Sequence, residues 1–92
     1  FVTLTLNETS KLLTVNNPVS SVIIIPADNT INFTNGSQVN ISRIGTGAVT
    51  VSASLGVYLR SADNRNQLRV QNSTATVIKL SANDWLLFGD IS

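Results

Sequence analysis

From Val49 to Leu59 every second residue is apolar: Val49, Val51, Ala53, Leu55, Val57 and Leu59, with Thr50, Ser52, Ser54, Gly56 and Tyr58 between them. Successive side chains of a strand point to opposite faces, so this alternation buries one face and wets the other. The same residues would be smeared around a helix. Val2-Thr3-Leu4-Thr5-Leu6 repeats the pattern with Val2, Leu4 and Leu6 on one face, and Leu12 to Val15 makes a short second strand. Val22-Ile23-Ile24-Ile25 is a continuous apolar run closed by Pro26, which predicts a strand covered on both sides.

Further strands are expected at Ile31 to Phe33, Gln38 to Ile44, Gln67 to Val70, Ala75 to Leu80 and Asp84 to Phe88. Turn signals separate them: Asn7 to Lys11, Asn16-Asn17-Pro18, Asn35-Gly36, Gly45-Thr46-Gly47 and Ser81-Ala82-Asn83, with Gly56 as a further turn or bulge. No stretch carries a helical period. Short strands at roughly 8–12-residue spacing predict one all-β domain over residues 1–92, an antiparallel β-sandwich or barrel. The expected core is Leu4, Leu6, Ile23, Ile25, Ile41, Val49, Val51, Val57, Leu59, Ile78, Leu80 and Leu87.

Composition narrows the function classes. The chain has 92 residues and neither cysteine nor histidine, which removes disulfides, the thiol nucleophile, the commonest general base and most zinc chemistry. A chain this short buries a modest core, so oligomerisation is the expected source of added stability. The five acids, Glu8, Asp28, Asp63, Asp84 and Asp90, fall mostly in predicted turns, and Lys79 near Ser81 makes no nucleophilic constellation. The expectation is a non-enzyme without metal or cofactor.

Charged residues are 12% of the chain, against roughly 25% in an ordinary domain, and the net charge is +1. That field recruits neither nucleic acid nor an anionic membrane. No segment approaches the ~20 apolar residues of a membrane span. Arg60, Arg65 and Arg69 with Tyr58 form a small basic-aromatic group, better read as a solvated hairpin whose arginines pair with Asp63 and Asp90. Gly45-Thr46-Gly47 leads into a strand rather than a helix, so it reads as a turn and not a phosphate cradle. Asn7, Asn32, Asn35, Asn40 and Asn72 each open an Asn-x-Ser/Thr triplet, which arises by chance in a chain this rich in Asn, Ser and Thr. The start lacks a basic n-region and an initiator methionine, and is expected to result from processing or excision.

The second half carries four linked motifs: Val39-Asn40-Ile41-Ser42-Arg43-Ile44-Gly45-Thr46-Gly47-Ala48-Val49-Thr50-Val51, Gly56-Val57-Tyr58-Leu59-Arg60-Ser61, Ser73-Thr74-Ala75-Thr76-Val77-Ile78-Lys79-Leu80 and Asn83-Asp84-Trp85-Leu86-Leu87-Phe88-Gly89-Asp90-Ile91. This order resembles β-rich modules at the ends of tailed-bacteriophage fibre, spike and virion-appendage proteins. The resemblance covers about two-thirds of the chain, from Phe33 onward, and rests on turn and core positions. It implies a structural head or knob, commonly trimeric, on the outer surface of a particle made in the host cytoplasm. Partners would be further copies of the chain and other virion proteins such as the major capsid protein. The sequence begins close to the module, with no long coiled-coil or β-helical stretch before it, so a compact capsid decoration or cement protein, or an isolated fibre domain, is expected. The alternative is a carbohydrate-binding module for a host surface glycan. Trp85, Tyr58, Arg60 and Phe33 are the candidate interface or ligand residues, with Trp85 expected as an apolar anchor in the core or at a subunit interface.

Overall fold

The computed structural model describes residues 2–92. Eight strands form: β1 (Val2–Thr3), β2 (Leu12–Val15), β3 (Ser21–Ile25), β4 (Gln38–Arg43), β5 (Val49–Ala53), β6 (Tyr58–Ser61), β7 (Thr74–Ser81) and β8 (Asp84–Gly89). Among the described residues the only helical pieces are single 3₁₀ turns at Leu6–Glu8 and Ala62–Asn64. Two sheets result, one of three strands in the order β1-β3-β5 and one of five in the order β2-β4-β7-β8-β6. Their inner faces share one core, with Ile23, Ile25, Val49 and Val51 from the small sheet and Val39, Ile41, Val77, Trp85 and Leu87 from the large one. This is an all-β, two-sheet sandwich.

The expectation of a purely antiparallel arrangement is corrected. β1, β3 and β5 are parallel throughout, β2 is parallel to β4, and β6 is parallel to β8. The reason is connectivity. From β1 to β6 the chain crosses to the opposite sheet after every strand, which brings β3 beside β1, β4 beside β2 and β5 beside β3, each running the same way. Parallel neighbours need a crossover, which a strand of the other sheet supplies for these three pairs, whereas β6 and β8 are joined through the 62–73 segment and β7. β7 and β8 form a hairpin, turned at Ala82 and Asn83, with Asn83 at φ 52°. That hairpin lies between β4 and β6, pairing antiparallel with β4.

Local expectations shift accordingly. The alternating run from Val49 is two strands, because Ser54 to Val57 turns between the sheets, with Gly56 at φ 87°. The first strand stops at Thr3, and Leu6 enters a 3₁₀ turn whose Thr5 backbone and hydroxyl both reach the Glu8 carboxylate. No strand forms at Ile31 to Phe33, or at Gln67 to Val70, where only single bridges to Thr50 and Ile91 occur.

The core also differs from expectation. Leu6 and Leu80 are exposed and Ile78 is half-buried, while Phe33, Val39, Leu68, Ala75, Val77 and Trp85 are buried. On β7 the inward set is Ala75, Val77 and Lys79, so Ile78 and Leu80 face out. Trp85, the single tryptophan, is fully enclosed and meets the Phe33 ring edge-on at 5.2 Å. Native Trp85 fluorescence is therefore expected to be blue-shifted and resistant to acrylamide quenching, with a red shift on unfolding. Ready quenching in the native protein would contradict this packing.

Candidate functional surface

Three polar or amphipathic clusters stand on this frame. The first is the outer face of the five-stranded sheet. Lys79 and Trp85 are a buried cross-strand pair, so their neighbours in sequence point outward. Leu80 and Phe88 are exposed there, Ile78 lies opposite the half-buried Leu86, and Arg60 lies next to Leu86 on β6. Tyr58 and Arg60 share the outer side of β6, with the guanidinium 4.6 Å from the Tyr58 ring centroid. Arg60 Nε and Nη2 also donate to the two Asp84 oxygens at 2.9 and 3.3 Å, a bidentate pair that raises the Arg60 pKa. The face is thus an apolar strip ending in an aromatic-guanidinium group whose charge is neutralised on the spot.

The second cluster ties the C-terminal residues to the 66–73 loop. Arg69 Nε and Nη2 donate to Asp90 Oδ1 and Oδ2 at 2.6 and 3.1 Å, and Ser73 Oγ donates to Oδ2 at 2.8 Å. The Arg69 hydrogen bonds, then that from Ser73, hold the Asp90 carboxyl below its ordinary 3.8. A carboxylate lowered in the folded state adds stability that is complete above the ordinary value and lost as pH falls through the folded one. Asp90→Asn is therefore expected to lower the melting temperature slightly at neutral pH and leave it unchanged at strongly acid pH. The pair is solvent-exposed, so the effect stays small. A constant gap between the two melting curves across pH would contradict it.

The third cluster is internal. Lys79 is 2% exposed, and its Nζ donates to Asp28 Oδ1 at 2.8 Å, Asn32 Oδ1 at 3.1 Å and the Phe33 carbonyl at 2.6 Å. Asp28 Oδ2 accepts from the Asn83 backbone N–H at 3.2 Å, and Asn83 Oδ1 accepts from the Asp28 N–H at 2.8 Å. The 26–37 loop is thereby fastened to the β7–β8 hairpin. All three donors of the ammonium are used, which is what a buried cation needs.

The candidate residues separate into two pairs. Tyr58 and Arg60 come together at the surface, and Trp85 and Phe33 come together in the core. Trp85 presents no face to a sugar in this fold, which leaves the carbohydrate reading with Tyr58 alone. Arg69 pairs with Asp90 and Arg65 lies 3.9 Å from Asp63, as expected, whereas Arg60 takes Asp84. The Gly45 and Gly47 N–H groups are spent on the carbonyls of Val15 and Asn17, so this turn has no pair of free donors for a phosphate. Sequence reasoning missed Lys79 as a core group. The signal was its parity with Ala75 and Val77.

Four of the five acids sit in ion pairs, and the fifth, Glu8, bonds Thr5. Among the described residues no three His, Cys, Asp or Glu side chains gather into a metal-binding group. No protein-family model matches the chain, and neither does any curated protein or any solved structure.

Proposed function

We propose that this chain is a non-enzymatic structural module of a tailed-phage particle, displayed on the outside as a capsid decoration or cement protein or as a fibre or spike head. One observation carries the reading: the residues on which the phage resemblance rests are those that shape this fold. Gly45 and Gly47 lie against the backbone of Asn17 and Val19 with no space for a side chain. Gly89 sits at φ 130° against Ala75. Trp85, Val77 and Leu87 fill the core.

The surface suits that role. Its few charges are mostly compensated locally, so copies can crowd together without strong repulsion. The apolar strip on the large sheet and the free edges of β2 and β6 are surfaces that association would cover. The assembly in this reading is a homotrimer bound to another virion protein such as the major capsid protein.

Fractionation of purified particles from the source, followed by peptide mass spectrometry and cryo-electron microscopy, tests it. The chain is expected in the particle fraction at high copy number and as external density. Particles devoid of the chain would overturn the proposal. Light scattering on the purified chain tests the threefold assembly separately, with a mass of three chains expected and a stable monomer counting against it.

A further inference from the structure

We propose that Lys79 and Asn32 become joined by an intramolecular isopeptide bond, with Asp28 as the proton carrier. The Lys79 Nζ lies 3.1 Å from the Asn32 side-chain oxygen and 2.8 Å from Asp28 Oδ1. An amine, a primary amide and a carboxylate therefore meet at one point, in a chain with no cysteine for covalent reinforcement. The amine is buried, with Trp85 directly opposite on β8 and Phe33 packed edge-on against that ring.

Amines and amides do not condense readily in water, because the amine is protonated and the amide is a weak electrophile. The fold addresses both obstacles. Holding the groups together replaces a bimolecular encounter by an intramolecular one. The Asp28 carboxylate, 2.8 Å from Nζ, is placed to take a proton from the amine as Nζ attacks.

The freed Nζ lone pair then adds to Asn32 Cγ, forming the C–N bond. The Cγ–Nδ2 bond breaks, and Nδ2 departs with the two protons that Nζ has shed, as ammonium. Asp28 carries those protons and returns to its carboxylate form. No oxidant, reductant or co-reactant is required. Asn32 lies at the exposed end of the cluster, so the leaving group exits directly to solvent.

Asn32 rather than Asp28 is the acylating partner. Asp28 is held by the Asn83 backbone N–H as well as by Lys79, and it is the one carboxylate among the hydrogen-bond partners of the amine, so its consumption would remove the proton carrier. The product would bolt the 26–37 loop to β7 and make the hairpin attachment permanent.

Intact mass spectrometry and tryptic mapping of the purified full chain test it, both freshly prepared and after prolonged incubation at neutral pH. The expected product is lighter than the sequence mass by one ammonia. Its digest contains residues 12–43 joined through Asn32 to residues 70–92, with Lys79 uncut. A succinimide at Asn35-Gly36 has the same mass but yields no branched peptide and leaves Lys79 cleavable. Asp28→Asn is expected to abolish or greatly slow the branch. Full-mass protein with trypsin cutting after Lys79, even after incubation, overturns the proposal, and this result needs no variant. Branch formation at the native rate in folded Asp28→Asn overturns the role of Asp28.

Discussion

Val51→Asp should yield a chain without a cooperative unfolding transition. Val51 is fully enclosed on the middle of β5, paired in parallel with Ile23. Replacing it removes about 1.5–3 kcal/mol of apolar burial. It also places a carboxylate in a core cluster made up of apolar side chains. An unpaired buried charge costs several kcal/mol more. The whole stability of a chain this size is about 5–14 kcal/mol at roughly 0.05–0.15 kcal/mol per residue. One substitution is thus of the order of the total. Ser52→Asp, one residue along on the partly exposed outer face, should keep the fold and lose about 1 kcal/mol or less. Circular dichroism and thermal melts of the pair measure the period of two directly. A folded Val51→Asp protein would mean that β5 faces the other way.

Those two substitutions also mark what the sequence made legible. Strands with polar residues on one parity and apolar residues on the other, such as β5, had only one sensible orientation. β7 did not. Ala75, Val77 and Lys79 compete there with Thr76, Ile78 and Leu80, and by hydropathy the second set looks more apolar. The ammonium of Lys79 decides it, because Asp28, Asn32 and the Phe33 carbonyl await it inside. Those partners lie more than forty residues away, so nothing near Lys79 in the sequence announced them. The long aliphatic stem of lysine then packs as core.

Pairing was the least legible level. Alternation states which face of a strand is buried, and is silent about its neighbour. Asn35-Gly36 predicts a hairpin, and a turn does form, with Gly36 at φ 88°. The chain before it, however, is a crossing loop rather than a strand, and the Gly36 N–H donates to the Lys79 carbonyl on β7 at 2.7 Å. Parallel order in the small sheet is a consequence of such crossings. Tyr58 and Arg60, two apart on one strand, were visible together. The contact of Phe33 with Trp85, from a loop and a distant strand, was not.

Gly47→Ala carries the second large effect. The Gly45-Thr46-Gly47 segment lies beneath the 16–20 loop, and the Gly47 N–H donates to the Asn17 carbonyl at 2.8 Å. A methyl group on Gly47 would fall inside the van der Waals envelope of the Val19 carbonyl and 2.6 Å from the Asn17 oxygen. Both obstacles are backbone, so neither yields by changing a rotamer. Relief requires the loop to lift, which breaks the Asn17–Gly47 hydrogen bond. Overpacking of this kind costs about 1–3 kcal/mol or more, and the lost hydrogen bond adds about 1 kcal/mol. Gly36→Ala supplies the contrast. Its φ of 88° is unfavourable for alanine, but nothing lies within 4 Å of the new methyl group. Its cost is the left-handed backbone alone, about 1–2 kcal/mol. Urea titration should therefore rank Gly47→Ala below Gly36→Ala, and Gly36→Ala below the native chain, with the slope unchanged. Equal midpoints for Gly47→Ala and the native protein would show that the 16–20 loop does not rest on this turn.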